Sequence, residues 1–111
     1  VQGIANDKYG IGYSGIGYLT ADVASVPLAR DTGSPMVAAL PENAYAGEYP
    51  LARFLYVYVN HRPGSRLDPL RREFVRYIFS REGQMQVLKD GYFPITAAVA
   101  KDNLTRVGIA R

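Results

Sequence analysis

The sequence predicts an α/β fold, a mixed sheet flanked by helices, and two observations carry that prediction. First, residues 51–59 alternate Leu55, Val57 and Val59 with Phe54, Tyr56 and Tyr58. Both faces of such an extended segment are apolar or aromatic, the pattern of a central strand covered on both sides. Second, two helix starts follow close behind it. Asp68 precedes Pro69, and proline is favoured at the first helical position. Ser80 precedes Glu82, which places an acid where the helix dipole favours one.

The other elements follow in chain order. Residues 1–8 read as the end of a helix closed by the turn residues Asn6, Asp7 and Gly10. The chain begins with Val1, so it reads as processed or truncated. Gly10–Ser14 reads as a short buried strand, after which Ser14 is expected to cap a helix reaching about Ala21. Ser25–Ala29 reads as a second strand, and its Pro27 assigns it to an edge or a crossing. Arg30–Pro35 is a turn, Met36–Leu40 another short strand, and Pro41–Pro50 a loop with room for one helical turn. In the helix after Pro69, Leu70, Phe74, Tyr77 and Ile78 form one apolar face. In the next, Met85 and Leu88 are expected on the buried side, with Gly91 as the stop. Tyr92–Ile95 reads as extended, and a short helix and tail complete the chain.

Bulk composition excludes more than it assigns. There are no cysteines, which removes thiol catalysis, disulfides and cysteine-based zinc sites. The formal net charge is +3, and it is uneven. Residues 1–55 hold three bases and five acids, whereas residues 56–111 hold ten bases and five acids. No apolar run approaches the length of a membrane span. The chain shows no signal peptide of its own.

Four groups of residues invite a chemical reading. Gly10-Ile-Gly-Tyr-Ser-Gly15 matches the letters of the dinucleotide fingerprint, with Asp31 near the place of its ribose-binding acid. The fingerprint requires a strand immediately before its first glycine, and Ala5–Tyr9 does not read as one. Close backbone packing explains the glycines better. If Ser14-Gly15 open a helix, their backbone N–H groups make a generic anion site, to which Tyr13 adds a hydroxyl; simple packing of Tyr13 and Tyr18 is the plainer alternative. Arg62, Arg66, Arg71, Arg72, Arg76 and Arg81 form a basic cluster. The spacings Asp68–Arg72 and Glu73–Arg76 assign it to a solvated helix face rather than to nucleic acid. His61 stands alone in a loop and offers no metal site.

Three stretches stand out when taken in order: Tyr9-Gly-Ile-Gly-Tyr-Ser-Gly-Ile-Gly-Tyr18, the Gly47–Tyr58 segment with its Tyr-Pro-Leu-Ala-Arg-Phe-Leu-Tyr run, and Phe74–Ile95 with Ser-Arg-Glu-Gly-Gln at its centre. Together they resemble the phosphate-binding component of phosphate ABC importers. The resemblance implies the C-terminal portion of a type II periplasmic-binding-protein-like fold. Residues 1–111 would be one segment of it: the end of the second lobe, the return crossing strand and the closing helices of the first lobe.

The resemblance also implies function: capture of phosphate or a similar oxyanion, delivery to an ABC permease, a periplasmic or otherwise extracytoplasmic location with the signal peptide upstream, no enzymatic activity and no cofactor. The family's Ser-Gly-Thr helix start is missing here, so the main ligand residues are expected before Val1. By looser similarity to molybdate-binding relatives, Tyr13 and then Ser14 are the candidate ligand contacts. Exposed sheet edges in such a segment would favour a homodimer. Two alternatives stand beside this reading: an interaction or regulatory domain using the arginine-rich face, and a piece of a dinucleotide-binding enzyme.

Overall fold

The computed structural model describes residues 1–109. Its helices, in order, are α1 (Gln2–Ala5), α2 (Pro41–Tyr45), α3 (Pro69–Ile78), α4 (Arg81–Lys89) and α5 (Ala97–Arg106), with a single 3₁₀ turn at Ile16–Tyr18. The chain divides into two compact units, Val1–Tyr56 and Val57–Arg111.

The helix starts expected at Asp68 and Ser80 are present. Asp68 accepts a hydrogen bond from the Arg71 amide at 3.1 Å, with Pro69 in the first turn. Ser80 Oγ accepts from the Gly83 amide at 3.0 Å. Thr96 does the same for α5, accepting from Val99. Each cap satisfies an amide that the helix cannot pair internally.

The stops of α2, α4 and α5 share one device. Gly47, Gly91 and Gly108 all adopt positive φ, at 70°, 84° and 73°. In each, the glycine amide and the next amide reach back to carbonyls of the last turn. After α5, for example, Gly108 N–H bonds Thr105 O and Ile109 N–H bonds Leu104 O at 2.8 Å. This paired closure also brings the flanking apolar residues together. Leu104 and Ile109 accordingly both belong to the core.

That core lies wholly in the second unit. Leu67, Val75, Leu104 and Ile109 are buried, and Val59, Phe79 and Val107 pack against them. Here the sequence reading of α3 needs correction. Its buried residue is Val75, whereas Leu70 is 82% exposed and Phe74 and Tyr77 about half exposed. Of the expected face only Ile78 is partly buried, and Val75, outside it, is the residue of α3 that joins the core. Met85 and Leu88 of α4 are likewise half exposed rather than buried.

The corner between α3 and α4 is tight for a reason visible in the sequence. A side chain on Gly83 would collide with the Tyr77 carbonyl oxygen and would stand 3.0 Å from that of Ile78. Gln84 then spans the corner: its Nε2 donates to Ile78 O at 2.8 Å, and its Oε1 accepts from the Ile95 amide at 2.9 Å. The Gly-Gln pair is thereby accounted for as architecture.

The expected sheet is not formed among the described residues. The β structure there is one isolated antiparallel bridge between Leu28 and Val37, with N–O distances of 2.9 and 2.8 Å. It joins the two segments expected as the strands Ser25–Ala29 and Met36–Leu40. Its turn is built by Asp31, whose Oδ1 accepts from the Gly33 amide at 3.0 Å and from Ser34 Oγ at 2.8 Å. Arg30 ties this hairpin to the end of α2 by donating to Gly47 O at 2.6 Å. Gly10–Ser14 and Leu51–Val59 are not strands here, because among the described residues neither pairs with a neighbouring segment in a ladder. No helix is long and apolar enough to cross a membrane among the described residues.

Candidate functional site

Gly10–Gly15 runs from the turn after α1 to the 3₁₀ turn. The Gly10 amide closes back on Asp7 O at 3.0 Å, while the Tyr9 amide is held by Asp7 Oδ1. Gly10 and Gly12 pass close over α1: a Cβ on either would stand 3.2 Å from the Ile4 side chain. The glycines therefore serve close packing. The dinucleotide reading loses its structural context, since a four-residue helix rather than a strand precedes Gly10 and only a three-residue 3₁₀ turn follows Gly15.

Tyr13 is 99% exposed, and Ser14 is exposed beside it. The packing alternative for Tyr13 is thus not what the structure shows. Ser14 does not cap a helix, as expected from the sequence; the residue before the 3₁₀ turn is Gly15, with no side-chain cap. A helix N-terminus is therefore not the source of an anion site here. What remains is two hydroxyls at adjacent positions on an exposed segment, both free to donate. Lys8, the nearest cation in sequence, lies over the Tyr9 ring at 5.6 Å.

The arginine cluster divides. Arg71 pairs with Asp68 at 3.4 Å and Arg76 with Glu73 at 3.3 Å, all with solvated side chains. The expected Asp68–Arg72 pair is replaced by Asp68–Arg71, because a capping carboxylate sits closest to the third residue of its own helix. Exposed pairs of this kind contribute about 0.2–1 kcal/mol at most. Arg72 and the paired Arg76 also line an open groove of about 390 Å³ floored by Phe79, Leu104 and Ile109. Glu73 and Glu82 line the same groove and offset its charge. His61 is held in its loop by a 2.9 Å contact with Ser65 O, beside a turn with Pro63 and a Gly64 of φ 78°. Among the described residues no group of three potential metal ligands gathers.

Sequence reading missed Gln84, whose two hydrogen bonds join three segments. The signal was the Ser-x-Glu-Gly-Gln spelling itself: a polar residue directly after a glycine that cannot bear a side chain.

No profile of a known protein family matches the chain. Comparison with individual proteins is informative. The chain is 48% identical over 109 residues to the phosphate-binding protein PstS of Pseudomonas aeruginosa, an alignment covering 98% of this chain and 34% of that protein. It is 33% identical over 97 residues to protein SphX of Synechocystis, covering 86% of this chain and 28% of that one. The chain thus spans about a third of the length of the curated relatives it matches.

Proposed function

We propose, from this kinship with a phosphate-binding protein, that the chain is part of an extracytoplasmic solute-binding protein that captures phosphate or a similar oxyanion for an ABC permease. The identity of 48% across nearly the whole chain is the observation that carries the reading. Its place would be the end of a second lobe, a return crossing and the closing helices of a first lobe, in a periplasmic-binding-protein fold whose mixed sheet is completed by further chain. Binding rather than catalysis is the role.

In this reading Tyr13 and Ser14 are the chain's own contribution to the ligand. Hydroxyl donors suit an oxyanion, since hydrogen bonds to a charged acceptor are about twice as strong as neutral ones. Both hydroxyls are exposed and uncommitted, so no internal bond has to break before they meet an anion. The strongest contacts come from residues outside this sequence, and Tyr13 and Ser14 supplement them.

The test is calorimetric titration of phosphate into two proteins. One is this chain. The other is a chimera in which it replaces the matched third of the Pseudomonas protein. Binding by the chimera alone is expected. Tyr13→Phe in the chimera should then weaken phosphate binding roughly tenfold, the worth of one hydrogen bond to a charged group. Unchanged affinity in Tyr13→Phe and Ser14→Ala removes the site assignment. A chimera that folds and binds no oxyanion removes the functional reading.

A further inference from the structure

We infer that the arginine side of the second unit is a docking surface for a protein that presents an acidic and an apolar side chain together, and that this partner is the permease. The inference rests on the phosphate-import reading for the identity of the partner only.

Charge is the first observation. Residues 57–111 hold ten bases and five acids, whereas residues 1–56 hold three bases and five acids. Three arginines of the second unit are answered locally, Arg71 by Asp68, Arg76 by Glu73 and Arg106 by Asp102. Arg62, Arg66, Arg72 and Arg81 are exposed and make no ion pair or side-chain hydrogen bond among the described residues. Each is a planar fork of donors matched to a carboxylate.

Placement is the second. An α-helix turns about 100° per residue, which sets Arg72 and Arg76 on the side of α3 away from Leu70 and Phe74. Those two are 82% and 58% exposed. Polypeptide that covers them therefore leaves the arginine side in solvent. The groove is the third. Beside Arg72 and Arg76, Tyr77 and Ser80 line it, over the floor of Phe79, Leu104 and Ile109. Arginine and aromatic residues are enriched at protein interfaces. An apolar side chain laid on that floor excludes water and strengthens the bond of a neighbouring carboxylate to Arg72. Glu73 and Glu82 line the groove as well. They repel a lipid surface or a nucleic acid, whose charge has one sign throughout, yet admit a protein segment that sets a single acid against Arg72.

The test uses the chimera with the Pseudomonas protein and that organism's phosphate permease held in lipid nanodiscs, with binding read by interferometry. Arg72→Glu should weaken permease binding about tenfold and flatten its salt dependence, with phosphate affinity unchanged. Arg72→Lys keeps the charge and loses the fork, so its loss should be smaller. Lys89→Glu makes the same change in net charge outside the groove and should leave permease binding within about twofold. Equal losses in Arg72→Glu and Lys89→Glu overturn the surface, because net charge alone then explains them. A chimera that binds phosphate but not the permease, where the parent Pseudomonas protein binds it, overturns the surface too. Binding to phosphatidylglycerol nanodiscs without permease, weakened by Arg72→Glu, overturns the protein partner in favour of a lipid surface. Arg72-dependent permease binding by a chimera that binds no phosphate keeps the surface and removes the ligand from the functional reading.

Discussion

The two units of this chain are of similar length and differ in what holds them. Val57–Arg111 has a core of four buried apolar residues, three capped helices and two glycine closures. Val1–Tyr56 has no buried residue, and its order comes from turns, one bridge and short helices. The second unit combines burial with local hydrogen bonding, while the first relies on hydrogen bonds without a buried residue, most of them local and one from Arg30 to Gly47 O. Loss of conformational freedom costs about 1–2 kcal/mol per residue, and hydrogen bonds exchanged with water return little of it. The contrast therefore predicts unequal stability, and each test below is meant to break it or make it finer.

The largest effect is expected at Gly83. Gly83→Ala drives a methyl group into the Tyr77 carbonyl, and the α3–α4 corner must open. A loss of about 3 kcal/mol is expected, measured as a shift in the urea midpoint of the helical signal. Leu104→Ala should cost about 2–3 kcal/mol by removing core contacts that α5 shares with Ile109. Gln84→Ala leaves the part-buried Ile95 amide and Ile78 carbonyl unpaired, for about 1–3 kcal/mol. Gln84→Glu sharpens that result, because it keeps the acceptor for Ile95 and loses the donor to Ile78. All four should leave amide exchange at Leu28 and Val37 unaltered. A parallel change there would mean that the units do not stand separately.

The same contrast explains what was legible in the sequence. Asp68-Pro69, Ser80 and Gly91 act within a few residues, so their spelling revealed the starts of α3 and α4 and the stop of α4. Val75 was hidden for a different reason. Leu70, Phe74, Tyr77 and Ile78 make the stronger stripe, and periodicity shows that a face is apolar without showing which face meets a partner. The strands at Gly10–Ser14 and Leu51–Val59 were read from residues fit for a ladder, yet a ladder needs a second chain segment. At the candidate site, the glycines' packing role was legible from the absent strand before Gly10. The exposure of Tyr13 was not, because exposure depends on what surrounds a residue rather than on the residue.

The smallest expected effect tests the first unit by itself. Hydrogen bonds from Ser34 Oγ and then the Gly33 amide hold the Asp31 carboxyl below the usual carboxylate range. A group whose folded pKa lies below its unfolded value adds stability that is fully present above the unfolded value. That contribution fades as pH falls through the folded pKa. The Leu28–Val37 pairing should therefore loosen in acid and show no Asp31-dependent change near neutrality, read as amide exchange at Val37. Asp31→Asn keeps an acceptor for the turn and removes the titration, so it should flatten the pH dependence while preserving the bridge. Asp31→Ala removes the acceptor too and should loosen the bridge at every pH. If Val37 exchange shows the same acid dependence in Asp31→Asn as in the parent, the carboxylate does not organise this turn. Another source of order would then have to hold the first unit.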